Sequence, residues 1–259
     1  MTRTEIRQAL ESRGLQPLKQ LGQNFLHDAN LCAWLAASVL EDQPAGAEVL
    51  ELGPGLGALT RPLLARGAAV HAIEVDRGLS RFLRETLAAE PRFALTEGDA
   101  LAEIARREAL PAVVAGNLPY NISTPLLMEL LDHPTPPARM QFLLQREVGE
   151  RLGSPANTKS YGALSVILQA EYRVEILRLF PPQVFYPEPE VASAAVRLTR
   201  RAKPAVTLAE RAAFRRFVKQ GFSQRRKKLR NLLPVEDDRR AGALDVAAWV
   251  ELFRSARGG

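Results

Sequence analysis

The sequence has one cysteine, Cys32, so no internal disulfide can form. Its three histidines, His27, His71 and His133, are scattered, and with a single thiol they do not supply a standard zinc site. Neither metal nor thiol chemistry is therefore expected. Long apolar runs are absent too: the longest, Leu31–Leu40, is far short of the ~20 residues that span a bilayer. The opening MTRTEIRQAL has no apolar signal region, which predicts a cytosolic protein; no membrane partner is expected, and the chain is taken as a monomer. Internal repeats and low-complexity segments are missing as well. What is present is ordinary for a globular chain: 259 residues, 46% hydrophobic and 25% charged. That is enough for one α/β domain with a small appendage.

Charge is unevenly distributed. Residues 1–199 carry 19 Lys and Arg against 23 Asp and Glu, whereas residues 200–259 carry 16 against 6. The overall net charge of +6 thus comes from the last quarter of the chain. A basic module on a mildly acidic body suits a polyanion, most often nucleic acid. The competing reading is an Arg-rich solvated surface, since 29 Arg against 6 Lys also fits a G+C-rich genome.

After a polar, basic arm over residues 1–20, Asp28 is placed to cap an apolar helix reaching about Glu41. Strand and helix candidates then alternate, which predicts a parallel sheet. The strands are 48–52, 69–74, 93–96, 112–115 and 140–145; the helices are 59–66, 77–89, 124–131 and 146–152. A helix at 164–170 and strands at 172–179 and 194–199 follow, with the Pro-rich PPQVFYPEPE between those strands. Beyond Arg200 the pattern becomes helical, over 207–220, 224–232 and 247–253. The expected architecture is a doubly wound, Rossmann-like α/β domain over 1–203 and a small all-helical domain over 204–259.

Glu51-Leu-Gly-Pro-Gly-Leu-Gly57 follows the first strand of this alternation and opens a helix. Glycines there permit a tight turn and close approach of a ligand to backbone N–H groups. Glu74 ends the next strand, where a carboxylate can take both hydroxyls of a ribose. Two cofactors fit, a dinucleotide or S-adenosylmethionine, because Gly53-x-Gly55-x-x-Ala58 also satisfies a relaxed dinucleotide fingerprint. The acid ahead of the glycines and the E-x-G-x-G-x-G spacing lean toward S-adenosylmethionine. Asp99 ends the third strand, placed either to meet an adenine amine or simply to cap the next helix.

Asn117-Leu118-Pro119-Tyr120 follows the fourth strand, at the sheet edge where α/β proteins bind ligands. Methylating an exocyclic amine on a base requires redirecting a lone pair that is delocalised into the ring. An Asn side-chain oxygen and a backbone carbonyl can accept both N–H hydrogens and favour the nucleophilic form. Proline fixes the turn, and the aromatic ring gives a face on which the base stacks. No covalent nucleophile is needed when the methyl donor is already activated, so catalysis reduces to positioning and electrostatics.

QNFL at 23–26, the 51–57 loop, IEVD, GDA, NLPY, QREV, YGALSV, VFYPEPEV and FSQRRKKLRN occur in one order from about residue 20 to 232. In that order they resemble the rRNA adenine dimethyltransferase family of the small-subunit type. The resemblance implies dimethylation of two adjacent adenosines in the 3′-terminal hairpin of small-subunit rRNA, on a precursor particle of the 30S subunit. It implies that Asn24 and Leu26 lie over S-adenosylmethionine, that Gly53 and Gly55 approach it, and that Glu74 and Asp99 take its ribose and adenine. It places Asn117 between cofactor and target amine, and Phe185 against the flipped base opposite Tyr120. Arg225, Arg226, Lys228 and Arg230, read as one basic helix, are the implied RNA contacts. The sequence departs from the family pattern at Arg146, Glu190 and Lys228. Three rivals remain: a large-subunit rRNA adenine methyltransferase, a non-enzymatic assembly factor and an NAD-dependent dehydrogenase. The second is disfavoured by the presence of Glu74, Asp99 and Asn117 together. The third lacks a catalytic acid in place of NLPY.

Overall fold

The computed structural model describes residues 1–119 and 122–258. In chain order it contains α1 (Arg3–Glu11), β1 (Phe25–Leu26), α2 (Ala29–Val39), β2 (Glu48–Leu52), α3 (Thr60–Ala65), β3 (Ala69–Glu74) and α4 (Arg77–Thr86). There follow β4 (Phe93–Glu97), α5 (Ala100–Arg106), β5 (Val113–Asn117), α6 (Ser123–Asp132), β6 (Arg139–Gln145), α7 (Arg146–Gly153) and α8 (Ala163–Gln169). The chain finishes with β7 (Tyr172–Phe180), β8 (Phe185–Tyr186), β9 (Ser193–Arg200), α9 (Leu208–Gly221) and α10 (Val246–Gly258).

Seven strands form one sheet in the order β4-β3-β2-β5-β6-β9-β7, and β1 pairs with β8 in a separate two-stranded ribbon. β2 runs parallel to both β3 and β5, β3 to β4, and β5 to β6. β2 reads as an unbroken apolar run around Glu51 because both of its faces are covered: Val49 to Leu52 are all buried. The chain winds from β2 outward to β4, returns to β5 and continues the other way. The order therefore reverses between β2 and β5, where doubly wound sheets open a crevice at their carboxyl edge. Three of the helices, α2, α4 and α5, start where a short acidic side chain takes an N–H that the first turn leaves unpaired. Asp28 Oδ1 accepts from Leu31 at 2.9 Å, Asp76 Oδ1 from Gly78 and Leu79, and Asp99 Oδ1 from Leu101.

The chain divides into two compact units, Met1–Arg146 with Leu177–Val196, and Glu147–Ile176 with Arg197–Gly259. The first holds a core in which Ile6, Leu35, Leu63, Leu83, Leu143 and Phe180 are nearly inaccessible. In the second, α8 packs on α9 and α10, and the Arg211 guanidinium grips the buried Glu171 carboxylate through two bonds of 2.7 and 2.5 Å.

Two expectations need revision. The arm over residues 1–20 contains a capped amphipathic helix, α1: Thr2 Oγ1 accepts from Glu5 N–H, Glu5 Oε2 accepts from Thr2 N–H, and Ile6 and Leu10 are buried. The unit holding the C-terminal helices is also larger than residues 204–259, and it is not all helical. It includes α8 and parts of β7 and β9, because the buried Glu171 ties that stretch to α9.

Candidate active site

The carboxyl ends of β3, β2 and β5 lie side by side, with Leu52 in register with Ile73 on one side and with Gly116 on the other. This approach demands glycine at position 116, because a Cβ there would stand 2.3 Å from the Leu52 carbonyl oxygen. A cleft opens above the strand ends, lined by Glu51, Gly53, Gly55, Glu74, Asp99 and Asn117 among others. Gly53 and Gly55 both have positive φ, +65° and +59°, which the chain needs to turn out of β2 and into α3. Gly53 N–H donates to Ile73 O at 2.9 Å, fastening the loop to β3.

Three carboxylates differ in what holds them. Glu74 is buried; its Oε2 accepts from Gly55 N–H and its Oε1 from Asp76 N–H, both at 3.0 Å. Burial pushes its carboxyl above the usual range, and those two N–H donors pull against the shift. Glu51 is 1% exposed, and among the described residues its Oε2 has no hydrogen-bond partner. Burial pushes it up to about 8, aided by the nearby Glu74 charge. Asp99 is exposed, and one of its oxygens caps α5. Asp99 thus caps α5, as one of its two readings has it, and it also lines the cleft.

At the end of β5, Asn117 Nδ2 donates to the Asn24 backbone carbonyl at 2.8 Å. A carbonyl can only accept, so this hydrogen bond fixes which way the amide faces and leaves Asn117 Oδ1 as an acceptor. Leu118 is buried and its N–H reaches Leu143 O, while Pro119 lines the cleft. Tyr120, the fourth member of the tetrad, lies outside the described residues. Asn24 and Leu26 line the same cleft, and the Phe25 ring packs over the glycine loop, 3.2 Å from where a Gly55 Cβ would be.

This constellation has relatives. Residues 15–244 match the family described as ribosomal RNA adenine dimethylase. The chain belongs to that family. It is 42% identical to the ribosomal RNA small subunit methyltransferase A of Anaeromyxobacter sp. (strain K), over 96% of each chain. It is also 42% identical to the protein of that name from Pseudomonas aeruginosa, over 90% of this chain and 92% of the other. Among solved structures, a dimethyladenosine transferase from Plasmodium falciparum shares the fold, with a TM-score of 0.77 at 20% identity over 90% of this chain and 98% of that one. The 23S rRNA methyltransferase ErmE gives 0.71 at 25% identity, over 90% and 100%. The fold is thus the Rossmann-like fold of S-adenosylmethionine-dependent methyltransferases.

The cleft of this dimethylase-family member suits S-adenosylmethionine on its own chemistry. The unpartnered, buried Glu51 oxygen suits a cationic group, the side-chain-free turn at Gly53 and Gly55 admits close approach, and Glu74 sits at the strand end beside them. Among the described residues, no group of three or more His, Cys, Asp or Glu is placed to hold a metal. No described helix is long and apolar enough to cross a membrane.

Two sequence expectations fail here. Phe185 is 2% exposed and does not line the cleft: β8 pairs Phe185 with Leu26, which turns its ring into the core, 6.5 Å from Phe180. In this structure a base cannot stack on it without displacing those neighbours. The segment 224–232 is not a helix either. It is a turn followed by a single 3-10 turn at Leu229–Asn231, because its backbone pairs with a later stretch instead: Leu229 N–H with Arg239 O, and Arg230 N–H with Asp237 O. The helical alignment of Arg226 with Arg230 is therefore absent. Arg225 donates to the carbonyls of Lys159 and Tyr161, and Lys228 and Arg230 both pair with Asp238, at 2.9 and 2.7 Å. Among the described residues, Arg226 and Lys227 have no such partner.

Sequence reasoning missed Gln23 and Asp76 as structural partners, and Gly116. For Asp76 the signal is present, an acid directly ahead of a helix; for Gly116 and Gln23 nothing local distinguishes them.

Proposed function

We propose that this chain dimethylates the exocyclic amines of two adjacent adenosines in the 3′-terminal hairpin of small-subunit rRNA, using S-adenosylmethionine. The observation that carries this reading is the Asn117 amide. With Nδ2 given to the Asn24 carbonyl, Oδ1 is committed to face its next partner as an acceptor, beside a glycine loop and a ribose-type carboxylate. When bound, S-adenosylmethionine supplies a methyl group already activated by a positive sulfur.

The chain's own residues then have three tasks. Glu74, fixed by the Gly55 and Asp76 N–H groups, offers its remaining lone pairs to the two ribose hydroxyls. Asp99 offers the oxygen not used in capping to an adenine amine. Asn117 Oδ1, with the Pro119 carbonyl, accepts the two N–H hydrogens of the target amine and turns its lone pair out of the ring plane. Those bonds strengthen as the nitrogen gains positive charge, which lowers the barrier by preorganised electrostatics. The base has to leave its stack to reach Asn117, and Tyr120 is the aromatic face proposed to receive it. The second unit supplies phosphate contacts, for which the unpaired Arg226 and Lys227 are better placed than their neighbours that are already engaged. Small-subunit rRNA is favoured over large-subunit rRNA by the near full-length relatives of that name at 42% identity.

The test offers the protein labelled S-adenosylmethionine and either unmethylated small-subunit particles or protein-free large-subunit rRNA. Label in dimethyladenosine from the small-subunit hairpin alone is the expected result. Label only in large-subunit rRNA would move the chain to the other branch of the family.

A further inference from the structure

Residues 18–26, the stretch after α1 that ends in β1, cross the carboxyl edge of the sheet and are fastened at both sides of the cofactor loop. On the β3 side, Gln23 Nε2 donates to Asp76 Oδ2 at 3.0 Å. Its other atom, Oε1, accepts the Leu18 N–H at 2.8 Å, and Gln23 N–H turns back toward the Leu18 carbonyl. One side chain thus closes the segment's own turn and anchors it. On the β5 side, the next residue, Asn24, holds the Asn117 amide through its backbone carbonyl. Directly after the two anchors Phe25 rests on Gly55, and Leu26 pairs with Phe185.

We infer that Gln23 is a positioning residue for methyl transfer: by tying the segment to Asp76 it sets the Asn24 carbonyl that orients the Asn117 amide. This rests on the reading of Asn117 as the acceptor for the target amine. The reasoning is geometric. A loop residue's carbonyl can orient an amide only if the loop is itself fixed, and among the described residues Asn24's own side chain bonds no further than Gly22 O. Of the two neighbours of Asn24, Phe25 is held by packing, and Gln23 is the one whose side chain hydrogen-bonds a rigid point, the N-cap of α4, where Asp76 Oδ1 is already held by Gly78 and Leu79 N–H. The same Asp76 gives its N–H to Glu74, so the ribose acid and the acceptor amide share one scaffold. Glu74 keeps both of its own N–H donors without Gln23. Removing Gln23 should therefore act on the chemical step more than on cofactor binding.

The experiment compares Gln23→Ala, Gln23→Glu and the double variant Gln23→Glu with Asp76→Asn, using full-length protein, S-adenosylmethionine and unmethylated small-subunit particles. Gln23→Ala should lower kcat about 10- to 100-fold, as a misplaced reacting group does, while cofactor KM and Tm barely move. Gln23→Glu sets two carboxylates against each other. It should be as slow at pH 8 and recover toward acid pH, where the pair can share a proton. The double variant reverses donor and acceptor across the same hydrogen bond and should restore kcat to near wild type at pH 8. An unchanged kcat in Gln23→Ala, a defect confined to cofactor KM, or a double variant no faster than Gln23→Glu overturns the inference. Asn117→Ala, run alongside, separates the two claims. If it keeps its kcat, the acceptor reading itself falls; if its kcat drops while the Gln23 variants keep theirs, only the role of Gln23 falls.

Discussion

The cofactor cleft and the basic segment 224–232 both carry polar functional candidates, yet their side chains are disposed in opposite ways. In the cleft, protein partners orient the polar groups and leave capacity over: Glu74 is held by two N–H donors, Asn117 by one carbonyl, and the Glu51 oxygen has no partner. In the basic segment, protein partners consume the charge: Arg225, Lys228 and Arg230 are spent on carbonyls and Asp238, and Arg226 and Lys227 are left. A polar residue's availability to a ligand depends on what the fold has already asked of it, and type and count alone do not reveal that.

The sharpest way to break the comparison is at Glu74. Glu74→Ala removes the proposed acceptor for two ribose hydroxyls and the observed partner of the Gly55 and Asp76 N–H groups, and charge-assisted bonds are worth roughly 1.5–3 kcal/mol each. Calorimetry should show S-adenosylmethionine binding weakened about 100-fold or more; an unchanged affinity would remove Glu74 from the ribose. Gly116→Ala comes next. It forces a Cβ against the Leu52 carbonyl, so β2 and β5 must part at the cleft floor. A destabilisation of about 1–3 kcal/mol, the usual cost of overpacking, should appear as a lowered Tm together with weaker cofactor binding.

A smaller effect concerns Glu51. Its carboxyl is raised in the folded state to about 8, so the native protein holds a proton that the unfolded chain releases. The associated stability is complete below the unfolded carboxylate range and is lost as pH rises toward about 8. Glu51→Gln should flatten the fall of Tm between pH 5 and 8; a curve parallel to wild type would show that Glu51 ionises without penalty.

The smallest effect sharpens the other side of the comparison. Replacing Arg226 and Lys227 with alanine should reduce the slope of log K for rRNA against log salt by about 0.7–0.9 for each phosphate that is no longer neutralised. Replacing Asp238 should tighten rRNA binding by releasing Lys228 and Arg230. Equal salt slopes for wild type and the Arg226, Lys227 double variant would place the phosphate-binding cations elsewhere on the chain.

What is legible in the sequence follows the same division. β2 and β3 are readable to the residue, because buried parallel strands need continuous apolar runs and their ends are marked by Gly53 and Glu74. Asp28 can be placed as a cap because a cap is a local rule, and the Thr2–Glu5 capping box of α1 is equally readable but hidden inside a polar arm. Phe185 and the 224–232 segment mislead for a shared reason. Each is decided by a distant partner, Leu26 in one case and the 237–240 stretch in the other, and no spacing within the segment records it. The Asn117–Asn24 hydrogen bond spans 93 residues and lies beyond reach in the same way.

The most direct test of the central claim, that Asn117 acts on the target amine in the chemical step beyond any contact with the cofactor, is a single-turnover measurement on Asn117→Ala. It uses saturating S-adenosylmethionine and unmethylated small-subunit particles, with cofactor affinity measured on the same preparation. The expected outcome is cofactor affinity within a few-fold of wild type and methyl transfer slowed on the order of 100- to 1000-fold, as when one preorganised hydrogen-bonding group is removed. Transfer at the wild-type rate, or a slowing fully accounted for by weaker cofactor binding, would contradict it.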